Sequence, residues 1–329
     1  MSQQALSAII IGAGNRGTNY GRYALQHPQE LSIVGVAEPA TDRLQRMVTQ
    51  HDIAPTMQFA TWEDALAQGK VADLAINTTM DRMHHDSTLA LLDAGYDVLL
   101  EKPMSPVLEE NVRLVQHAEE QGRLLQVCHV LRYAPFWQTI RQIVQSGKLG
   151  RIISVSHREN LHFLHMAHSF VRGNWRNEAT SGAMILAKCC HDFDILNWIL
   201  GQHVKTLHSF GALTYFRPEN APEGAAERCI GWSLAEPCQY YAPRRYAQDG
   251  NSPALDAVEI TPTAEARMKA LETSPYGRCV WHCDNDVVDH QTVSMLLEDE
   301  TTVTLIMQGQ GDEECRTMRY DGTLGTLYA

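Results

Sequence analysis

The stretch Ala8-Ile9-Ile10-Ile11-Gly12-Ala13-Gly14-Asn15-Arg16-Gly17 indicates how the first part of the chain folds. Its four leading apolar residues predict a strand buried on both faces, and the residues after Gly17 predict a helix to about His27. A Gly-x-Gly-x-x-Gly sequence between a strand and a helix is typical of dinucleotide sites, because the helix N-terminus stabilises phosphate charge. We expect Gly12 to permit the turn, Gly14 to admit the pyrophosphate and Gly17 to let the helix pack on the strand.

A second apolar strand, Leu31 to Ala37, ends in Glu38. Glu38 follows the last glycine of the loop by about 20 residues, the spacing of the acid that binds the adenosine ribose. A carboxylate there would repel a 2′-phosphate, so Glu38 favours NAD. Arg43 lies close enough in sequence to bind such a phosphate, which leaves NADP as the alternative.

Strands and helices continue to alternate through residue 128. We predict strands at Val71–Asn77, Val98–Leu100 and Leu124–Cys128, and helices from Thr61 to about Gln68, His84 to Ala94, and Ser105-Pro106 to about Gln121. This alternation predicts a parallel, doubly wound Rossmann sheet of the α/β class over residues 1–128.

The strands of such a sheet carry functional groups at their carboxyl ends. Glu101-Lys102-Pro103 follows the strand at Val98 and places Lys102 at that rim, although position alone fits a surface lysine equally well. Asn77-Thr78-Thr79 ends another strand at the same rim and is expected to line the nicotinamide half of the cofactor. His84 either contacts the cofactor or caps its helix.

The pattern changes after Cys128, and we predict a second domain over residues 129–329. Arg151 to Arg158 alternates like a strand with one exposed face. Asn160 to Trp175 is too polar for a core and predicts a loop over a polar pocket or a metal site. Hydrogen-bonding residues in and around this stretch suit a sugar; the substrate-binding candidates are Arg132, Glu159, His162, His165, His168, Arg172 and Asn174.

Ala183 to Leu200 has the apolar spacing of one long helix. Lys188 and His191 are three residues apart, so they share a helical face and suit proton transfer from a hydroxyl. The alternative is an amphipathic helix with a solvated side. Arg217 to Asp256 predicts an irregular excursion, and Cys279 to Met307 predicts a return to strands.

The composition restricts the class of protein. The 329 residues carry a formal charge of −12, which argues against nucleic acid or an anionic membrane as the partner. Neither an export signal nor a membrane-length apolar run is evident, which predicts a cytoplasmic protein with reduced thiols. Cys229, Cys238, Cys279 and Cys283 could hold zinc, but their spacing favours buried thiols, and we predict no metal site.

Five motifs resemble the Gfo/Idh/MocA oxidoreductases. They are Gly12 to Gly17, Glu101-Lys102-Pro103, Arg132-Tyr133-x-Pro135, Trp175-Arg176 and the Gly182…His191-Asp192-x-Asp194 helix. The resemblance implies a Rossmann domain followed by an α+β domain with a large, mostly antiparallel sheet that often forms the subunit interface. It also implies NAD(P)-dependent hydride transfer at a sugar or cyclitol carbon, with Lys102 and His191 as the catalytic lysine and histidine.

Two features depart from the family pattern. The aspartate usually found four residues before the histidine is Ala187 here, with Lys188 beside it, so Lys188 becomes a third catalytic candidate. Arg319 to Leu327 resembles a turn from which family members continue into further strands, and we therefore expect a truncated second domain. The cofactor-binding candidates are Gly12, Gly14, Asn15, Arg16, Gly17, Glu38, Asn77, Thr78, Thr79, His84, Glu101, Lys102, Trp175 and Arg176.

Three functions fit these residues. The first is a dehydrogenase acting on a CH–OH group of a sugar, sugar derivative or cyclitol, working as a homodimer or homotetramer. The second keeps NAD bound and catalyses a redox-neutral epimerisation, elimination or oxidative glycoside cleavage. The third is a non-catalytic NAD(H) sensor.

Overall fold

The computed structural model describes residues 5–232 and 237–329. The chain divides after Cys128 into two compact units, Met1–Cys128 and His129–Ala329. Each unit has its own six-stranded sheet. Among the described residues, no helix has both the length and the apolar character needed to cross a membrane.

The first unit contains a parallel sheet in the order β3-β2-β1-β4-β5-β6. The strands are β1 (Leu6–Ile11), β2 (Leu31–Ala37), β3 (Gln58–Phe59), β4 (Leu74–Asn77), β5 (Asp97–Leu100) and β6 (Leu125–Val127). Every neighbouring pair is parallel. The order reverses at β1, and the predicted doubly wound Rossmann sheet is confirmed.

Helices cover both faces of this sheet. They are α1 (Asn15–Gln26), α2 (Thr41–His51), α3 (Trp62–Leu66), α4 (His84–Asp93) and α5 (Leu108–Glu120). Ile9 and Ile11 belong to one apolar cluster, while Ala8 and Ile10 belong to another. Successive side chains of a strand point to opposite faces, which is why β1 is apolar at every position from Ala8 to Ile11.

The predicted start of α5 at Ser105-Pro106 is wrong. The helix begins at Leu108, and its N-cap residue is Val107. Ser105 instead organises the preceding turn, since its hydroxyl accepts a hydrogen bond from the Val107 amide and donates one to Glu110. A serine followed by proline is a helix-start signal, but here the hydroxyl is used before the helix begins.

The second unit contains a mixed sheet in the order β12-β11-β7-β10-β9-β8. The strands are β7 (Ile152–His162), β8 (Val204–Ala212), β9 (His290–Leu297), β10 (Thr302–Gly311), β11 (Cys315–Gly322) and β12 (Thr326–Tyr328). Only β7 and β10 pair in parallel. The other four pairs are antiparallel, so the predicted α+β domain with a mostly antiparallel sheet is confirmed.

One face of this sheet packs against helices to form the core. The helices of the unit are α6 (Pro135–Gln145), α7 (Phe163–His165), α8 (Met184–Ala187), α9 (Cys190–Leu200), α10 (Ala242–Tyr246), α11 (Pro253–Asp256) and α12 (Ala264–Ala270). The buried residues of α10 and α11 belong to a separate, smaller apolar cluster. Met166–Arg172 is a single π-helical segment between α7 and α8. Val303, Leu305 and Met307 of β10 are buried in the same cluster as Trp137 of α6 and Ile195 of α9.

Three predictions for this unit need correction. The predicted helix from Ala183 to Leu200 is broken at Lys188 and Cys189, which separate α8 from α9. The strands predicted from Cys279 begin at His290, because a turn precedes them. The predicted irregular excursion from Arg217 contains short helical segments, and residues 233–236 of it lie outside the described part of the chain.

Candidate functional site

Two glycines of the loop after β1, Gly12 and Gly17, lie where a side chain would clash with the backbone. Gly12 has φ +89°, and a Cβ there would lie 2.7 Å from the Thr78 carbonyl oxygen. A Cβ on Gly17 would lie 2.2 Å from the Gly12 carbonyl oxygen. Gly14 is the N-cap of α1 and faces open space, where a Cβ would meet nothing within 4 Å. The turn, the helix–strand packing and the open approach to the helix N-terminus fit a dinucleotide pyrophosphate.

Glu38 lies at the end of β2 beside this loop and is 5% exposed. Its carboxylate accepts hydrogen bonds from the amides of Ala13 at 2.7 Å and Ala40 at 3.0 Å. The nearby cation is Arg46, which sequence reasoning missed; its guanidinium donates to the Ala13 carbonyl and the Thr18 hydroxyl. Arg46 lies one helical turn after Arg43 on α2, so both share a helical face. This spacing could have identified Arg46 from the sequence.

We expect Glu38→Ala to narrow the preference for NAD over NADP by about tenfold, because the change removes a carboxylate that would repel the 2′-phosphate. Fluorescence titration of both reduced cofactors checks this. Asp42→Ala is the control, since it removes an exposed carboxylate from the first turn of α2. Wild-type protein that prefers NADP would contradict our interpretation of Glu38.

Two rim residues predicted to contact the cofactor make internal hydrogen bonds. Asn77 is fully buried, and its amide donates to the hydroxyls of Ser87 and Thr88. His84 is 1% exposed, with Nδ1 2.7 Å from the Pro103 carbonyl oxygen and Nε2 3.1 Å from that of Thr79. Their side chains therefore connect the turns of the rim.

The other loop residues are placed as follows. Asn15 is the first residue of α1, and its side chain accepts a hydrogen bond from Asn19. The Thr78 hydroxyl donates to the Gly12 carbonyl, so it fixes the glycine loop from β4. The Thr79 hydroxyl donates to Asn77.

Glu101 and Lys102 follow β5 at the same rim. The Glu101 carboxylate is 4% exposed and accepts hydrogen bonds from Arg16, from the Tyr20 hydroxyl at 2.8 Å and from the Lys102 amide at 2.8 Å. Lys102 itself is half-buried. The glycine loop and the Glu-Lys-Pro turn are thus joined inside the first unit.

In the second unit, His191 lies in the first turn of α9. Its ring meets the His129 ring edge-on, with centroids 6.1 Å apart. His129 Nε2 lies 3.8 Å from Asp194 Oδ1, and Arg132 binds both oxygens of Asp194. Arg132, a predicted substrate ligand, is therefore already engaged with a carboxylate.

Lys188 belongs to a group of charged residues that we call the buried charge cluster: His157, Glu159, Lys188, Asp192 and Arg316. Lys188 Nζ lies 3.1 Å from Glu159, and Arg316 lies 2.9 Å from Glu159 and binds both oxygens of Asp192. His157 Nε2 lies 2.7 Å from the same Asp192. The cluster connects the start of α9 to β7 and β11.

Burial and hydrogen bonding act in opposite directions on the two acids of the cluster. Burial raises the pKa of Glu159, although Lys188 and Arg316 favour its charged form. Burial opposes the ionisation of Asp192 too, but hydrogen bonds from His157 and Arg316 lower its pKa to about 2. Arg316 could not have been assigned from sequence, because it lies more than a hundred residues from its partners.

The histidine-rich stretch from Asn160 to Trp175 does not form the predicted loop over a polar pocket. Met166–Arg172 is largely buried and forms part of the core, not a loop over a pocket. Arg172 is 1% exposed and donates to the carbonyls of Arg278 and Tyr240. His168 Nδ1 lies 3.0 Å from the Tyr246 hydroxyl, and its ring stacks on Tyr276. These contacts make Arg172 and His168 core residues.

The remaining candidates in this stretch make local contacts. His162 caps α7, and His165 binds Glu314. Arg176 binds Asp284, while Trp175 packs near Phe170 and Asn174 is exposed. Within residues 5–232 and 237–329, no group of three or more His, Cys, Asp or Glu side chains could hold a metal ion.

All eight cysteines are free thiols. Arg172 donates to the Cys229 sulfur at 3.4 Å. Burial raises the pKa of Cys283 to about 11, so that thiol stays protonated near neutral pH. Cys279 and Cys283 lie in a turn and not in the strand predicted to begin at Cys279.

The parallel sheet that reverses at β1, the glycine loop and the acid after β2 define a dinucleotide-binding Rossmann domain. The chain belongs to the Gfo/Idh/MocA family. Residues 6–129 match its oxidoreductase family, NAD-binding Rossmann fold, and residues 137–232 match its C-terminal domain. The predicted NAD cofactor and the resemblance to this family are confirmed.

Named relatives support the same class. "Putative oxidoreductase YteT" of Bacillus subtilis (strain 168) is 30% identical over 54% of this chain and 42% of its own length. Inositol 2-dehydrogenase 4 of Saccharopolyspora erythraea is 26% identical over 69% of this chain and 62% of its own. The chain thus spans less than two thirds of either relative.

A solved structure shows the same fold. The WlbA dehydrogenase from Chromobacterium violaceum, in complex with NADH and UDP-GlcNAcA, has a TM-score of 0.70 with 16% identity. The match covers the whole of this chain and 74% of that one.

Proposed function

We propose that the protein is an NAD(P)-dependent dehydrogenase acting on a CH–OH group of a sugar, sugar derivative or cyclitol. The observation that carries this proposal is the placement of Lys102 directly after β5 of an NAD-binding sheet, on a turn hydrogen-bonded to the glycine-loop helix. The inositol dehydrogenase among the relatives and the nucleotide-sugar complex of WlbA support a polyhydroxylated substrate.

Each candidate residue has a defined task in this proposal. When bound at the glycine loop and Glu38, the nicotinamide cofactor supplies the hydride acceptor or donor. The Lys102 ammonium stabilises the negative charge that develops on the reacting oxygen as its proton leaves. His191 takes the hydroxyl proton on an imidazole nitrogen. The His129 ring packs edge-on against the His191 ring and is itself held near Asp194.

Lys188 has a different part in the proposed site. Its ammonium lies between the carboxylates of Glu159 and Glu314, at 3.1 and 3.3 Å. An ammonium already paired with two carboxylates is better suited to fixing the turn between α8 and α9 than to contacting a substrate. We therefore assign Lys188 to the positioning of α9, on which His191 lies.

The test is a screen of sugars, sugar acids and cyclitols with NAD and NADP, followed by absorbance at the NADH band. We expect net NADH formation with at least one polyol, and His191→Ala should lower that turnover by about 10²-fold, as for a lost acid–base group. His208→Ala, on exposed strand β8, is the control. Product formed without a change in absorbance would support a redox-neutral reaction instead.

We also propose that the protein forms a homodimer or homotetramer. Strand β8 is exposed along most of its length, and Leu207 and Phe210 are 55% and 80% exposed. Large exposed apolar side chains on an edge strand favour association with another chain. Light scattering should give a mass above that of the monomer, and Phe210→Asp should lower it. A monomer mass at every concentration would contradict this proposal.

A further inference from the structure

Glu101 carries a buried carboxylate whose partners all belong to the first unit. Its side chain is 6% exposed, and a buried carboxylate is costly unless it is paired and hydrogen-bonded. One oxygen accepts hydrogen bonds from Arg16 Nε and the Tyr20 hydroxyl, and the other accepts one from the Lys102 amide. Arg16 also donates to the Tyr20 hydroxyl at 2.7 Å, which closes a ring of three side chains.

The ring joins two parts of the dinucleotide-binding edge. Arg16 and Tyr20 lie one turn apart on α1, the helix that begins at the glycine loop. Glu101 and Lys102 lie in the turn after β5. Two elements are therefore connected through one hydroxyl and one carboxylate.

We propose that Arg16, Tyr20 and Glu101 form a positioning clamp for Lys102. Glu101 and Arg16 then act on the reaction through the lysine and not as direct cofactor ligands. The clamp fixes the backbone from which the Lys102 side chain extends, and it ties that backbone to the helix that receives the cofactor phosphates. The inference rests on the proposed function, because it assigns the clamp to the catalytic lysine.

Tyr20→Phe tests the clamp with the smallest change, since only the bridging hydroxyl is lost. Hydrogen exchange of the peptide covering residues 99–106 should speed up about tenfold, because the turn loses a bond to a charged group. Turnover should fall about tenfold, while NADH affinity stays within twofold. Tyr23→Phe is the matched control: it lies on the same helix and removes a hydroxyl bonded to the exposed Glu30.

Glu101→Gln and Glu101→Asp complete the experiment. Glu101→Gln should loosen the same peptide at least as much as Tyr20→Phe, and Glu101→Asp should restore part of the protection. Circular dichroism identifies any Glu101 variant that fails to fold. In that case the comparison of Tyr20→Phe with Tyr23→Phe tests the clamp. Equal exchange in Tyr20→Phe and Tyr23→Phe would overturn the clamp. So would faster exchange with unchanged turnover.

The two readouts separate this inference from the proposed function. Hydrogen exchange needs no substrate, so it reports on the turn even if the screen finds no dehydrogenase activity. Slow wild-type exchange and fast Tyr20→Phe exchange without any turnover would uphold the clamp on the Lys102 turn and count against the proposed function alone.

Discussion

Lys102→Met is expected to lower turnover by about 10²-fold or more and to leave NADH affinity nearly unchanged. Methionine keeps much of the apolar stem of the side chain but removes the ammonium that stabilises negative charge on the reacting oxygen. The glycine loop and Glu38, which hold the nucleotide in our proposal, are untouched. Steady-state turnover on the substrate found by the screen, together with NADH titration, measures both quantities.

Lys70→Met is the matched control for this prediction. Lys70 belongs to the same unit and is exposed, and its ammonium donates to the Gly95 carbonyl. Its replacement should change turnover by no more than a few-fold. Wild-type turnover in Lys102→Met would remove the catalytic assignment, and an equal loss in both variants would indicate a general effect of the substitution.

Asp192→Asn is expected to lower the free energy of unfolding of the second unit by about 3–5 kcal/mol, the cost of breaking a buried ion pair from one side. The Asp192 carboxylate balances the charge of Arg316 and also accepts a hydrogen bond from His157. A neutral amide leaves the buried charge of Arg316 unbalanced. Urea unfolding monitored by tryptophan fluorescence provides the measurement, because Trp137 stacks on the ring of His157.

The same carboxylate predicts a dependence on pH. Its pKa in the folded protein is about 2, below its usual value of about 3.9, so it stabilises the fold fully above pH 4. That contribution is lost as the pH falls toward 2, and Asp192→Asn should lack this component of acid sensitivity. Asp321→Asn removes a less buried carboxylate, 31% exposed and paired with Arg319, and serves as the control. A similar loss of stability in both variants would contradict the assigned role of burial.

The first unit could be predicted closely because its signals are local. Strand β2 has the predicted bounds, Leu31–Ala37, since a short, mostly apolar run ending in Glu38 is typical of a buried strand. The glycine loop was found because strand, glycines and helix follow one another directly. The start of α5 was missed because the hydroxyl of Ser105 serves either a cap or a turn, and the sequence does not distinguish them.

The second unit was harder to predict because its key contacts are distant in sequence. Lys188 and Arg316 are 128 positions apart in numbering, yet both contact Glu159, and no local pattern indicates this. The same limit explains Arg172, whose charge suggests a surface or a pocket although backbone carbonyls satisfy it in the core. Polar residues identify a binding site only when their partners are known.

The pairing of β7 has a consequence for how the chain folds during synthesis. Both neighbours of this central strand come late: Thr302 of β10 pairs with Ser154 and Cys315 of β11 pairs with Asn160, in each case about 150 residues later. On the ribosome, β7 is made long before either partner, whereas β1 finds β2 within about 25 residues. The Rossmann unit can therefore fold first. Strand β7, by contrast, keeps two unpaired edges until the last strands emerge. In this interval the nascent chain most needs protection from aggregation.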